Sequence, residues 1–188
     1  GDSSNSIVAK AGGNYNVKVI NGNGCEAISR NVLVKVNALP QVPTISMIGD
    51  TVFCAGDSLT LLSNVNHGIR WSTGDTSATL IRKTSGTISL TYTDTNNCAA
   101  VSKSVRVVSN PVPSVPNILA AGPTTFCDGN SVTLNSSSAS NNKWSNSDSS
   151  ASIVVSKSGN YTVTSYNQFG CESTSANLLV TVNSLPSK

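Results

Sequence analysis

Residues 159–183 read GNYTVTSYNQFGCESTSANLLVTVN, and residues 13–37 read GNYNVKVINGNGCEAISRNVLVKVN. Both stretches carry apolar or aromatic side chains at every second position: Tyr161 and Val163 in one, Tyr15, Val17 and Val19 in the other. Each then crosses a polar turn to a cysteine and resumes alternation, with Leu178 and Val180 matching Val32 and Val34. A period of two with one apolar face describes a half-buried strand, because successive side chains of a strand point to opposite faces. Two such runs across a short turn predict an antiparallel hairpin.

The frame continues between these stretches at a fixed offset of 73 positions. Phe53-Cys54 returns as Phe126-Cys127, Trp71 as Trp144, Gly86 as Gly159 and Cys98 as Cys171, while Gly13 and Cys25 stand one period before Gly86 and Cys98. Pro40 and Pro43 return as Pro113 and Pro116. The expected organisation is therefore the second half of one repeat (1–39), a complete repeat (40–112), a second complete repeat (113–185) and the start of a further linker (186–188). Leu59 and Leu61 match Val132 and Leu134, and Asn/Gly/Ser/Asp turns separate all the alternating runs. No segment shows a sustained helical period. Each repeat is expected to be six or seven short antiparallel strands in a small immunoglobulin-like β-sandwich, so the fold class is all-β. Proline-bearing junctions, ALPQVPTI and NPVPSVPNI, favour stiff linkers and a rod-like array. The N-terminal half-repeat has about three strands of its own. Upstream sequence is expected to complete it, and a strand from another subunit is the alternative.

Composition narrows the function. Only 11% of the 188 residues are charged, against about 25% in an average domain. Ser, Thr and Asn make up roughly two-fifths of the chain, and the net charge is +3. With 38% hydrophobic residues in alternation, disorder is not expected. Lys and Arg are scattered, so no nucleic-acid surface is indicated. No apolar run approaches the roughly 20 residues that span a bilayer, so no membrane insertion is expected in this segment. The N-terminus lacks a signal-peptide layout, which suits a mature protein or an excerpt of a longer one.

In each complete repeat two cysteines stand 44 residues apart, and this spacing predicts disulfides Cys54–Cys98 and Cys127–Cys171. Such a bond closes a loop worth about 4 kcal/mol in the chain-entropy estimate. Cys25 is expected to be unpaired, its partner lying before the first residue. A reactive or intermolecular thiol is the alternative. Paired cysteines at this density imply an oxidising, extracellular setting. With one histidine and no CxxC pair, no zinc site or other metal site is expected.

Trp71 and Trp144 raise the main functional question. Each begins a polar turn with one carboxylate, WSTGD and WSNSD. An exposed indole beside an acid is a sugar-stacking platform. A buried one is a core residue, as sandwiches of this kind keep. Each Trp follows a basic residue, Arg70 or Lys143, so alternation puts cation and indole on opposite faces. The core reading is favoured, with Phe53 and Phe126 as further core aromatics and Asp75 and Asp148 as turn formers. Catalysis lacks a constellation: His67 is the single histidine and its counterpart is Ser140. Among the acids only Asp75/Asp148 and Glu26/Glu172 keep their place between repeats. No enzyme activity and no cofactor are expected.

The pattern FC.G.S.TL, then WS with a later SG.Y.V and GC, then a V.V strand, resembles the immunoglobulin/PKD-like repeats of large secreted surface proteins of Bacteroidota. The matching residues are Phe126-Cys127, Gly129, Ser131, Trp144-Ser145, Ser158-Gly159, Tyr161 and Gly170-Cys171, whereas the complete repeat before it departs at Thr87-Ile88 and lacks the Gly before Cys98. The resemblance implies a cell-surface location, type 9 secretion, and a role as stalk, filament or adhesin shaft. It also implies O-glycosylation at Asp-Ser/Thr-apolar sites, here Thr51 and Ser58, with Thr51 the better candidate because Ser58 opens a strand. Expected partners are neighbouring repeats of the chain, surface polysaccharide, or further copies in a fibre. The competing function is a carbohydrate-binding accessory region of a polysaccharide-degrading enzyme or adhesin.

Overall fold

The computed structural model describes residues 4–186. Strands β1 (Gly13–Tyr15), β2 (Lys18–Ile20), β3 (Glu26–Ile28) and β4 (Val32–Val34) form the half-repeat. The next period holds β5 (Ile45–Ile48), β6 (Val52–Cys54), β7 (Leu59–Ser63), β8 (Ile69–Trp71), β9 (Thr79–Arg82), β10 (Gly86–Ile88), β11 (Leu90–Thr93), β12 (Ala99–Val101) and β13 (Val105–Asn110). The last holds β14 (Ile118–Ala120), β15 (Thr125–Cys127), β16 (Val132–Ser136), β17 (Asn142–Trp144), β18 (Ser152–Val155), β19 (Gly159–Tyr161), β20 (Val163–Tyr166), β21 (Glu172–Thr174) and β22 (Leu178–Asn183). Every strand from β5 to β13 starts 73 residues before its counterpart from β14 to β22. The described residues are all-β with immunoglobulin-like sandwich topology.

By contacts the chain divides into two compact units. One runs to Ser46 and includes Leu62–Leu80 and Ile88–Ser104; the other takes Met47–Leu61, Ile81–Thr87 and everything from Val105. The whole last period lies in the second unit, where its sandwich is plain. One layer is β14-β16-β18; the other is β15-β22-β19 together with β17-β20-β21. Val132, Leu134, Ile153 and Val155 enter the core from the first layer, and Trp144, Val163 and Val180 from the second. Tyr161, Phe126, Ile118, Leu178 and Val182 pack around them. The core residues alternate along each strand with less buried ones, as the pleat requires.

Two features depart from the expected six or seven antiparallel strands. First, each complete period has nine short segments, because the hairpin strands are broken in the middle. At the break in the last period, Ser175 donates its N–H to Val163 O at 2.9 Å and accepts the Val163 N–H on its hydroxyl at 3.1 Å. Ser102 does the same with Leu90, and Ser29 with Val17. Each serine hydroxyl stands in for a ladder carbonyl where the strand bulges. Second, the leading strand changes layer. β14 pairs antiparallel with β16, whereas β15 runs parallel to β22, with Phe126 opposite Val182. β6 pairs with β13 in the same parallel way, Phe53 opposite Ser109. A strand laid along β22 pairs its outer edge, which would otherwise offer unpaired backbone groups.

The disulfide pairing is also different from the expected one. Cys54 is bonded to Cys171, 117 residues away, so neither Cys54–Cys98 nor Cys127–Cys171 forms. Cys98 and Cys127 are free thiols. The cause is the direction of the chain at the end of β13. Cys54 lies opposite Asn110, and Ala55 donates its N–H to the Asn110 carbonyl at 2.7 Å. From Asn110 the chain passes into the proline linker, where Asn167 Nδ2 donates to the Pro111 carbonyl (2.6 Å) and Ser173 Oγ to that of Pro113 (2.8 Å). The linker is thus pinned to the β20–β21 hairpin, and the hairpin's own cysteine is the thiol that reaches Cys54.

Candidate functional site

Two places in the molecule carry the residues singled out by the sequence: the tryptophan turn and the stapled junction. In the turn after β17, the Asp148 carbonyl accepts the Trp144 N–H at 2.8 Å, and the Trp144 carbonyl accepts the Ser147 N–H at the same distance. The Asp148 carboxylate accepts the Ser150 N–H (2.8 Å) and the Ser150 hydroxyl. The Ser150 carbonyl in turn accepts the indole N–H of Trp144 at 2.9 Å. The earlier period repeats every bond: Asp75 binds the N–H and hydroxyl of Ser77, and Trp71 Nε1 donates to the Ser77 carbonyl at 2.8 Å. Hydrogen bonds from the serine hydroxyl, and secondarily from its backbone N–H, hold both carboxyls below the usual carboxylate range.

The indoles are closed to solvent. Trp71 is 1% exposed and Trp144 2%. Neither can stack on a sugar. The shallow depression beside Trp144 is lined by Lys143, Ser145, Thr162, Tyr166 and Glu172, so its polar groups stand beside a tyrosine rather than beside the repeat indole. In it Tyr166 hydrogen-bonds to Glu172, which raises the phenol's pKa. Phe126, expected in the core, is only half-buried at its margin, and Phe53, expected there too, is half-buried. Among the described residues no group of three or more His, Cys, Asp or Glu side chains could hold a metal ion. His67 is exposed; its ring meets Tyr92 edge-on and its Nδ1 hydrogen-bonds to Asn66.

The glycosylation candidates change order. Ser58 is exposed, because it stands just before β7 rather than within it. Thr51 is half-buried, and its carbonyl accepts the Val108 N–H at 2.8 Å. Ser58 is the more accessible hydroxyl.

At the junction, the hairpin cysteine is positioned by an Asx turn. Asn167 Oδ1 accepts the N–H groups of Phe169 (3.0 Å) and Cys171 (3.1 Å). The Asp94 carboxylate holds Asn96 and Cys98, and Asn21 holds Asn23 and Cys25, in the same way. The sequence reading missed both this turn rule and the bulge serines. Their signal was present in the same period: Asn21, Asp94, Asn167, and Ser29, Ser102, Ser175.

No family model matches the chain, and no curated protein matches it. Among solved structures the chain is similar to one in the complex of the mouse coronavirus receptor-binding domain with its murine receptor. The identity is 15% and the TM-score 0.39, over 74% of this chain and 99% of that one. It is also similar to the ligand-binding domain of human OSCAR, at 12% identity and a TM-score of 0.32, over 76% of this chain and all of that one.

Proposed function

We propose that the chain is a non-enzymatic structural segment of a long extracellular bacterial surface protein, a stalk, filament or adhesin shaft built from 73-residue repeats. The observation that carries this reading is the burial of both repeat tryptophans, 1% and 2% exposed, with each indole N–H spent on a backbone carbonyl of its own turn. A repeated sugar platform needs those rings outside; a scaffold needs them inside. The disulfide supports an oxidising compartment. The likeness of the motif to Bacteroidota surface repeats supports type 9 secretion and O-glycosylation at Ser58 or Thr51. A surface of hydroxyls and amides with few charges stays hydrated without a strong field.

The test is a glycan array probed with the full chain, together with proteolysis of the oxidised protein. The stalk reading expects no signal above background and cleavage confined to the half-repeat. Saturable binding to one glycan class would reverse the choice in favour of an accessory binding region.

A second reading has its own observation. Val17 is 61% exposed, whereas its counterparts Leu90 and Val163 are 0% exposed. Strands β1–β4 therefore present a face that the complete periods cover. Strands from the preceding part of a longer chain are the proposed cover, and strands from a second copy, giving fibres, are the alternative. Native mass measurement separates them, since only the second gives particles heavier than the 19.3 kDa chain.

A further inference from the structure

Cys54 and Cys127 occupy one position of the repeat, and Cys98 and Cys171 another, yet the observed bond joins positions of different periods. Its span of 117 residues is the within-repeat spacing of 44 lengthened by one period of 73. We propose that this bond is one rung of a series: in an array that keeps the period, the strand-end cysteine of each repeat bonds the hairpin cysteine of the repeat that follows. Cys127 then takes its partner from the following repeat, and Cys98 from the preceding one. The inference deepens the array reading and rests on it.

Equal surroundings carry the extrapolation. Cys127 ends β15 opposite Asn183, as Cys54 ends β6 opposite Asn110. The residue after each cysteine is tied to its strand neighbour in the same way: Asp128 donates its N–H to the Asn183 carbonyl at 2.8 Å, and Ala55 to that of Asn110 at 2.7 Å. At the other end, the N–H of Cys98 is held by Asp94 Oδ1 at 2.9 Å as that of Cys171 is held by Asn167. The bonded hairpin cysteine is 1% exposed, while Cys98 is half-buried and Cys127 exposed. The backbone settings of the free thiols thus match those of the bonded pair, while the two linker bonds cannot recur at the Cys98 hairpin, where Asp94 and Ala100 replace Asn167 and Ser173. Proline follows at the same places, Pro113 and Pro186 three residues beyond Asn110 and Asn183, so the linker that aims the next hairpin is repeated too.

Each rung removes one hydrogen from each of two thiols and forms one S–S bond. The two electrons and two protons pass to a small disulfide such as oxidised glutathione, which leaves as two thiols. Such a series would link every repeat to the next by a covalent bond besides the backbone, so that stretching the linker would load the sandwich edges.

The test extends the full chain by a copy of residues 116–188 placed directly after Lys188, which keeps the period. The protein is oxidised with glutathione disulfide, alkylated, digested without reduction and mapped by mass spectrometry. The expected result is Cys54–Cys171 retained, Cys127 bonded to the appended copy of Cys171, and Cys25, Cys98 and the appended copy of Cys127 alkylated. Bonds within a repeat, or an alkylated Cys127 beside an intact Cys54–Cys171, would overturn the series. A second arm uses the unextended chain with Cys54→Ser, which frees Cys171. Both Cys127 and Cys171 are then expected as alkylated thiols, and a Cys127–Cys171 bond would sink the proposal. These maps are independent of glycan binding, so the staple series and the stalk reading can fail separately.

Discussion

The indole N–H of Trp144 donates to the carbonyl of Ser150, six residues further along the chain, and Trp71 makes the same bond to Ser77. The largest core side chain is thereby tied to the turn that leaves its own strand. Burying an indole costs free energy unless its N–H is paired, so the turn and the core support each other. Replacing Trp144 with Phe is expected to cost about 1–3 kcal/mol, mainly from the unpaired Ser150 carbonyl. Trp144→Ala is expected to cost about 3–5 kcal/mol through the cavity. Urea unfolding followed by far-ultraviolet circular dichroism measures both. A Trp144→Phe variant as stable as the parent would contradict the role given to the hydrogen bond.

The bulge serine offers a cleaner deletion. Ser102 is buried, and its hydroxyl accepts the Leu90 N–H at 2.9 Å in the middle of the hairpin. Ser102→Ala removes one atom and leaves a buried donor without a partner, for an expected loss of about 1–3 kcal/mol. Ser102→Thr keeps the oxygen and should recover part of that loss. Hydrogen exchange at Leu90 is the direct readout, with faster exchange expected in the alanine variant only.

Gly68 has φ of +62°, and its carbonyl accepts the Thr93 N–H at 2.7 Å. A side-chain carbon there would clash with the Thr93 carbonyl oxygen. Its counterpart one period on is Asn141, also left-handed at φ 55°. Asn tolerates that region better than other residues with a Cβ. Gly68→Ala is therefore expected to destabilise by about 2 kcal/mol or more, from backbone strain and close approach together. Asn141→Gly should be nearly neutral. Thermal denaturation of the two variants is the check, and the opposite order would refute the assignment.

Asp75 and Asp148 are held below the usual carboxylate range when folded, chiefly by the hydroxyls of Ser77 and Ser150. In the unfolded chain those bonds are absent and the carboxyls titrate normally. The unfolded state therefore binds protons first as the solution is acidified. The stabilisation is complete above the unfolded pKa and is lost as pH falls through the folded one. Urea midpoints should thus decline on acidification, and the combined Asp75→Asn and Asp148→Asn variant should show a flatter profile at lower overall stability. Both carboxyls are solvent-exposed, so the effect is modest and additive with other acids.

Much of the fold is legible in the chain because one rule is written three times. Alternation at Leu59 and Leu61, at Val132 and Leu134, and at Tyr161 and Val163 specifies which side chains face inward, since a strand has only two faces. The preference of Trp71 and Trp144 for the core follows from the same parity with Arg70 and Lys143. What escaped was the break in each hairpin, since a serine inside an alternating run looks like an ordinary outward position until its partner N–H is known. The parallel pairing of β6 and β15 escaped too, because a short polar kink does not say into which layer the chain turns.

The cysteines mark the boundary between the two kinds of knowledge. Sequence alone determined that Cys54 and Cys127 are equivalent, that Cys25, Cys98 and Cys171 are equivalent, and that a strand end meets a hairpin. It could not determine which period supplies the partner, because a shift by one repeat brings the same kind of strand end to the same kind of hairpin. Only the tertiary structure decided that. The linker from Asn110 through Pro113 is pinned by Asn167 and Ser173, and this brings Cys171 to Cys54.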